Sequence, residues 1–252
     1  MTRETTVTTE RDTQPLDNLI WNALTTRQAH LAVVNGAARQ FPTDVAPFVA
    51  IAEPTPAAYH DLAPLVTDAN RAVLFTAERV APPPELLEVT FEVPLTQMIA
   101  THVGPPRGNL DVLDLGPDDV PEMIDLVELT KPGPYKQRTI QLGRYIGIRR
   151  EGKLVAMAGE RLKTTGFTEI SAVCTHPDWR NHGFASELVS LMVQHIRDAG
   201  DTPILHTGSA NTPAISVYRN LGFTLRRELW VSAVERVASA ETAEPELVGA
   251  RA

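Results

Sequence analysis

Cysteine is nearly absent from this chain. Its 252 residues include one, Cys174, so no disulfide can form within the chain. Disulfides persist in oxidising compartments, and a reducing cytoplasm is therefore the simplest setting for this protein. The sequence also lacks the spaced histidine, cysteine and carboxylate residues of the common zinc motifs, and we expect no metal site.

Long apolar runs and an excess of positive charge are missing too. No stretch approaches the roughly 20 apolar residues that span a bilayer, and residues 1–14 lack the apolar segment of a signal peptide. The net charge is −8, from 23 basic and 31 acidic residues. This balance argues against a nucleic-acid-binding surface and favours a cationic or amine-bearing partner. We expect a soluble, cytoplasmic protein without membrane or nucleic-acid partners.

Proline and glycine divide the chain into two halves. Residues 1–14 and 237–252 have few large apolar side chains and are predicted to be disordered tails. The segment 101–109, which is rich in glycine and proline, has the character of a linker. We therefore predict an N-terminal α/β domain over 15–105 and a second domain over 109–236. In the first, apolar patterning predicts helices at 18–24 and 56–66, and strands at 30–34, 47–52, 72–76 and 87–93.

The second half has the clearer pattern. Helical periodicity is predicted over 117–129, 185–199 and 212–220. Strands are predicted at 110–115, 145–149, 154–162, 168–174 and 203–207, with two closing strands at 223–229 and 230–234. The order β-α-β-β-β-α-β-α-β predicts an α/β fold with a mixed, mostly antiparallel sheet flanked by helices.

The turn between strand 168–174 and the next helix carries the chemistry. It reads Arg180-Asn181-His182-Gly183-Phe184-Ala185. A strand, a short turn holding Arg and Gly, and then a helix place backbone N–H groups against a phosphate. Gly183 leaves room for a close approach of the ligand to the backbone. The alternative interpretation is an ordinary strand-to-helix turn, but the pattern favours a phosphorylated cofactor.

Two segments together resemble the GNAT N-acetyltransferases over about residues 109–236. Arg180-x-x-Gly183-x-Ala185 fits the signature [QR]-x-x-G-x-[GA], and the segment from Asn211 to Phe223 resembles the C-terminal helix motif of that family. Residues 170–177 are similar to the glycine N-acyltransferase branch, and the first half is interpreted as a degenerate copy of the same fold. The family often has glycine where this chain has Asn181, a residue that tolerates left-handed backbone angles.

The resemblance implies acetyl-CoA as the co-substrate. The loop from Arg180 to Ala185 would bind its pyrophosphate, and unpaired backbone of Ala172, Val173 and Cys174 would hold the pantetheine arm. His182 and Cys174 have no expected chemical role as side chains. Asn211 is an N-cap of the last helix, with a cofactor contact as an open alternative.

Acetyl transfer needs an amine that loses a proton and a thiolate that gains one. The resemblance makes Tyr218 the thiolate-protonating acid, and a phenol is protonated at neutral pH; the alternative is a core tyrosine. Glu169 is the candidate base. If Thr165-Gly166 is a two-residue hairpin loop, Glu160 lies diagonal to Glu169 on one sheet face, where the two carboxylates would bind an amine and raise each other's pKa. The alternative is a solvated sheet edge.

The acceptor is expected opposite the cofactor. Lys131 and Arg138 would meet a substrate carboxylate, while Glu160 and Glu169 would meet the amine. The sequence thus predicts an N-acetyltransferase acting by direct transfer on a small amine, an amino acid or a peptide N-terminus. A non-catalytic acyl-CoA-binding or regulatory module is the alternative function, acyl groups longer than acetyl are a third, and a homodimer is left open.

Overall fold

The computed structural model describes residues 12–67 and 71–237. The predicted disordered tails lie outside these residues, except for residues 12–14 and 237. Elements of the first half are α1 (Leu19–Thr25), β1 (Val33–Asn35), β2 (Ala38–Gln40), β3 (Val49–Ile51), α2 (Pro56–Leu62), β4 (Ala72–Thr76) and β5 (Leu87–Ala100). Those of the second half are β6 (Leu113–Leu115), α3 (Val120–Thr130), β7 (Tyr145–Arg150), β8 (Lys153–Thr164), β9 (Phe167–Thr175), α4 (Phe184–Asp198), β10 (Thr202–Gly208), α5 (Thr212–Leu221) and β11 (Phe223–Arg236).

These strands form two sheets. The small one has the order β1-β2-β3, and the large one has the order β4-β11-β5-β10-β9-β8-β7-β6. Within the large sheet only β9 and β10 run parallel; the other neighbours are antiparallel. The predicted α/β class with a mixed, mostly antiparallel sheet is therefore confirmed.

The first half does not form a separate domain. Its strand β5 lies between β10 and β11 in the middle of the large sheet, and β4 lies at one edge of that sheet. Side chains from both halves share one apolar cluster, in which Leu16 and Phe48 pack with Phe167 and Leu229. The predicted division into domains 15–105 and 109–236 is wrong, because the central strands of the sheet come from both halves.

Several element boundaries also differ from prediction. A strand was predicted at 30–34, but the chain forms a 3-10 helix over Ala29–Leu31 before β1 begins at Val33. The sequence pattern did not predict β2. The strand predicted over 87–93 is longer, since β5 continues through Pro94 to Ala100. The two predicted closing strands are one, β11, with a register shift between Leu225 and Arg227.

Candidate active site

A gap in the large sheet defines the site. Strands β9 and β10 pair in parallel from Phe167 opposite Thr202 to Ile170 opposite Leu205. Beyond that pair, β10 stays with β5, while β9 continues to Thr175. At the point of separation Ala172 has a left-handed φ of 52°, and the pairing of β9 with β8 shifts register there. The last residues of β9 thus leave β10, as the family resemblance implies.

A cavity of about 1110 Å³ occupies this gap. On one side its walls include Phe184 and Tyr218, which belong to the apolar cluster around α4. On the other side they include Phe48 and Leu95, which belong to the cluster shared with the first half. The cavity therefore connects the two faces of the sheet through the space between β9 and β10.

Most of the predicted site residues meet at this cavity. The ones that line it are Lys131, Ala172, Val173, Cys174, Arg180, Asn181, Gly183, Phe184, Ala185, Asn211 and Tyr218. His182, Arg138, Glu160 and Glu169 are not among its lining residues.

The turn before α4 has the geometry of an anion-binding loop. Asn181 and Gly183 are left-handed, with φ of 66° and 78°, so asparagine does take the angle that was expected of it. Gly183 is the N-cap of α4, and the N–H groups of the first helical turn point out of the helix without intrahelical partners. The Nδ1 of His182 lies 2.8 Å from the backbone oxygen of Arg180, which gives this imidazole a structural role in the turn.

The linker between the halves is attached to this helix. Glu187, in the first turn of α4, is buried and accepts hydrogen bonds from the backbone N–H groups of Arg107 and Gly108, at 2.9 and 2.7 Å. The Arg107 guanidinium approaches the loop: its Nη1 is 4.0 Å from the position that a Cβ on Gly183 would take. Sequence reasoning missed Arg107, because nothing in the linker pattern places it beside the loop.

Helix α5 supplies the candidate acid. Asn211 is its N-cap, and the Asn211 Oδ1 accepts from the Ala214 N–H at 3.3 Å, as predicted. Tyr218 is 9% exposed and lines the cavity. Burial raises the pKa of the Tyr218 phenol to about 12, and burial likewise raises the pKa of the nearby Cys174 thiol to about 11. Both groups therefore stay protonated at neutral pH, and Tyr218 has a proton to donate.

The surroundings of Glu169 do not suit the predicted role of a general base. Its carboxylate is fully buried and accepts from Arg161 Nε and Nη2 at 2.8 and 2.5 Å, and it lies 2.6 Å from the Nδ1 of His206. Burial alone would raise the pKa of the Glu169 carboxyl, but Arg161 and His206 lower it to about 2. A carboxylate held in this way is a weak proton acceptor, and the structure contradicts the predicted role.

Glu160 lies on the opposite face of the sheet from Glu169. The loop Thr165-Gly166 does have two residues, but Arg161 and Leu162 both stand against Glu169, so β8 carries one extra residue in a bulge. The bulge reverses the alternation of side chains, and Glu160 comes to lie opposite Ile170, on the α4 side. There its carboxylate bonds Lys163 at 2.6 Å. The predicted carboxylate pair is therefore wrong.

Arg138 is also away from the site. Its guanidinium pairs with Asp44 at 3.1 Å, and both side chains are about half exposed. The predicted contact between Arg138 and a substrate carboxylate is not supported, since the loop turns this side chain towards the first half and away from the cavity.

Sequence reasoning missed Arg161 and His206. Arg161 lines the cavity, with its guanidinium carbon 4.9 Å from the Phe48 ring centre and 5.8 Å from that of Phe75. His206 lies between Glu169 and Gln97, and its Nε2 is 2.9 Å from the Gln97 Nε2. The available signal was the pair Glu160-Arg161, which interrupts the otherwise apolar strand at 154–162.

Acid unfolding should show the contribution of Glu169. The pKa of its carboxyl is about 2 in the fold against 4.5 for the free side chain. The carboxyl therefore binds its proton more tightly in the unfolded chain than in the fold. The ionised Glu169 contributes its full stabilisation of the fold above about pH 5, and this contribution is lost as the pH falls to about 2. We expect the difference in unfolding free energy between the wild type and Glu169→Gln to shrink over that range in urea titrations. Other carboxylates are common to both proteins, so a constant difference would contradict the assignment.

Metal-binding clusters and membrane-spanning helices are both absent from the described residues. No group of three or more His, Cys, Asp or Glu side chains within 12–67 and 71–237 is arranged to hold a metal ion. None of the described helices combines the length and hydrophobicity that a membrane crossing demands.

Known proteins share both the sequence and the fold. The family described as FR47-like protein matches residues 145–231. A mycothiol acetyltransferase of Thermobifida fusca is 37% identical over 67 residues, and the UPF0157 protein YqkA of Bacillus subtilis is 31% identical over 80 residues. These two matches cover 26% and 32% of this chain and only 20% and 23% of those proteins, so the chain spans about a fifth of the length of the curated relatives that it matches.

Similarity to solved structures extends over most of the chain. A GCN5-related N-acetyltransferase of Kribbella flavida, at 16% identity and a TM-score of 0.58, covers 86% of this chain and 96% of its own, and it shares the fold. A putative acetyltransferase from the GNAT family of Novosphingobium aromaticivorans is 36% identical, with a TM-score of 0.82 over 88% of this chain and 99% of its own. At that identity and coverage the chain belongs to the GNAT acetyltransferase family.

Proposed function

We propose that this protein transfers an acetyl group from acetyl-CoA to a primary amine. The observation that carries the proposal is the cavity between β9 and β10, which opens on one side at the start of α4 and on the other among side chains of the first half. A donor and an acceptor can enter from opposite faces and meet in the gap. The name of the mycothiol acetyltransferase relative supports acetyl transfer as the reaction class.

The donor would bind along the residues that the sequence predicted. The N–H groups at the start of α4 carry partial positive charge and would receive the pyrophosphate, with the cations of Arg180 and Arg107 close by. The backbone of Ala172, Val173 and Cys174 has left β10 and would hold the pantetheine arm. This route brings the thioester towards Tyr218, which lines the same cavity.

The chemical step requires one proton donor and one free amine. The amine nitrogen attacks the thioester carbonyl carbon, the C–N bond forms, and the C–S bond breaks. The leaving thiolate takes the proton of the Tyr218 hydroxyl, which is then restored from solvent. Among the described residues that line the cavity there is no Asp or Glu. The imidazole of His206 also lines the cavity, but its Nδ1 lies against Glu169 and its Nε2 against Gln97. The amine therefore attacks in its neutral form, and the proton that its nitrogen must lose to become an amide goes to water.

One assay distinguishes an acetyltransferase from a protein that only binds acyl-CoA. Purified protein is incubated with acetyl-CoA and a panel of primary amines, and free thiol is measured together with the acetylated product. Thiol release that depends on the amine supports the transferase. Tight binding of acetyl-CoA with no product from any amine would instead support the alternative, a non-catalytic acyl-CoA-binding or regulatory module. Butyryl-CoA in parallel tests the preference for acetyl over longer acyl groups.

A substitution at Gly183 tests the phosphate site. Gly183→Ala is expected to weaken coenzyme A binding by about 10-fold or more, since a methyl group would stand between the backbone N–H groups and the ligand. Within the protein the nearest atom to that methyl is 4.0 Å away, so no internal clash explains the effect. The left-handed angle itself should cost about 1 kcal/mol of stability.

Gly152 provides the matched control. It has the same φ of 78°, lies in the turn between β7 and β8, and has no atom within 4 Å of an added Cβ. Gly152→Ala should lose similar stability while keeping its affinity for coenzyme A in calorimetry. Equal affinities of the two variants for coenzyme A would contradict the proposal that this loop binds the phosphate.

Residues 170–177 support a further proposal, a relationship to the glycine N-acyltransferase branch. We also propose a degenerate duplication in the first half, a homodimer and a cytoplasmic location, and sedimentation of the purified protein tests the homodimer.

A further inference from the structure

The cavity is basic although the chain is acidic. Its described lining includes Arg71, Lys131, Lys136, Arg161 and Arg180, and no carboxylate, whereas the whole chain has a net charge of −8. Arg180 belongs to the phosphate loop, and Arg71 is paired with Glu235 at 3.0 Å. Arg161, on β8, is paired with Glu169 behind the wall. Lys131 and Lys136, on the loop after α3, form no salt bridge with a described residue, so the excess positive charge of this stretch of wall comes from the two lysines. A cationic acceptor would meet only like charge there, which disfavours it.

Arg161 is built as an anion receptor. Two of its nitrogens, Nε and Nη2, donate to Glu169, which fixes the plane of the guanidinium. Its Nη1 has no hydrogen-bond partner among the described residues, although the side chain is only 9% exposed. The rings of Phe48 and Phe75 pack against the same guanidinium, and Gly133 of the loop after α3 passes close to Nη1. Two N–H bonds of a buried cation are thus left for a ligand.

A buried network keeps this receptor in place. Glu169 also contacts His206, and His206 contacts Gln97, which is fully buried. The Gln97 Oε1 in turn accepts from Arg226 at 2.8 Å. Glu169 thus holds Arg161 in one orientation, which lowers the entropy that a ligand would have to overcome on binding.

Arg161 lies at the end of the cavity where the acceptor would bind. Its guanidinium packs against aromatic residues of the first half, in the cluster on the sheet face that faces away from α4. The phosphate loop is on the other side of the gap, at the start of α4. The phosphates of the donor and the Nη1 of Arg161 therefore belong to different ends of the cavity.

We propose that the acceptor amine carries an anionic group, and that the Nη1 of Arg161 binds this group and sets the acceptor specificity. This inference rests on the proposed transferase function and names its substrate class. A carboxylate or a phosphonate group would accept hydrogen bonds from the two N–H bonds of this nitrogen. Lys131 and Lys136 add charge at the entrance, and the aromatic wall beside Arg161 accepts the apolar part of the molecule.

Matched acceptors test the proposal on the wild-type protein. The probes are leucine, leucinamide and 3-methylbutylamine, which share a side chain and differ in charge, and the phosphonate analogue of leucine. With acetyl-CoA fixed, kcat/KM is calculated from the concentration of neutral amine, because the acceptors differ in the pKa of the amine; on this basis the value for leucine is expected to exceed that for leucinamide by about 10-fold to 100-fold, the range for a hydrogen bond to a charged group. A glycine and glycinamide pair repeats the comparison without the apolar side chain, and the phosphonate arm distinguishes the two anions.

A double variant assigns the effect to Arg161. Arg161→Gln alone would leave Glu169 buried without its partner and so threatens the fold. Arg161→Gln combined with Glu169→Gln removes both charges of the pair together. In this variant the ratio of leucine to leucinamide should fall towards 1, while the dissociation constant of coenzyme A stays within about 2-fold. The control is Arg144→Gln, which breaks the exposed pair of Arg144 with Asp114 and should leave the ratio as it is.

The outcomes separate the two proposals. If neutral or cationic amines are acetylated as well as their anionic counterparts, the acceptor class proposed here is wrong and the transferase stands. If the double variant loses affinity for coenzyme A, Arg161 binds the donor and the assignment is again wrong. If no amine of any charge is acetylated although acetyl-CoA binds, the proposed function fails together with this inference. Should the double variant not fold, as judged by circular dichroism, the ratio on the wild type decides.

Discussion

Glu169→Ala is expected to lower the free energy of unfolding by about 3–5 kcal/mol. The substitution leaves the Arg161 guanidinium buried without the carboxylate that accepts two of its hydrogen bonds. It also removes the partner of His206 at 2.6 Å. An uncompensated charge at this depth costs far more than the methylenes that are lost, and urea or guanidinium unfolding measures the difference.

Asp114→Ala is the matched control for this prediction. Asp114 also pairs with an arginine, Arg144, at 2.6 Å, but its side chain is 68% exposed. Exposed pairs contribute about 0–1 kcal/mol, because water solvates both charges once the pair is broken. A loss for Glu169→Ala no larger than that for Asp114→Ala would contradict the buried network around Arg161.

Tyr218→Phe is expected to reduce acetyl transfer by roughly 10²-fold, the lower range for a positioned general acid. The phenol lines the cavity and keeps its proton, because burial raises its pKa to about 12. Removing the hydroxyl leaves the thiolate to depart without a proton, so kcat should fall while the affinity for acetyl-CoA is nearly unchanged. Thiol release and calorimetry measure the two quantities.

Tyr135→Phe controls for the loss of a buried phenol. Tyr135 is 8% exposed, its hydroxyl lies 3.5 Å from the Met123 sulfur, and it does not line the cavity. This variant should keep its transfer rate, since only packing around α3 changes. Equal rates for Tyr218→Phe and the wild type would mean that the thiolate obtains its proton elsewhere.

Local patterns in the sequence were sufficient to predict the ends of the helices that border the cavity. Gly183, Asn211 and Gly222 are signals at helix ends, and each acts through its own backbone within a few residues: Gly183 and Asn211 are N-caps, and Gly222 ends α5 in a left-handed conformation. Asn181, where the family often has glycine, was expected to tolerate a left-handed angle and adopts one. Such features depend on neighbours along the chain, which a linear pattern contains.

The surroundings of Glu169 and Glu160 depended on contacts that no local pattern contains. Glu169 looked like a free base because its partners, Arg161 and His206, lie across two strand pairings. One extra residue in β8 reversed the alternation of side chains and carried Glu160 to the other face. A single inserted residue of this kind changes which side chains meet, and the period-2 pattern of a strand gives no sign of it.

The amino-acid sequence by itself determined most of the order of helices and strands in the second half, the glycine-containing turn at the start of α4 and the resemblance to the family. These follow from apolar periodicity and from backbone preferences that act over a few residues. Only the tertiary structure decided that β5 of the first half enters the central sheet, and that Arg161, rather than a carboxylate, faces the cavity. The physical reason is that strand pairing and burial join residues far apart in the chain, and the charge of a cavity is a sum over such residues.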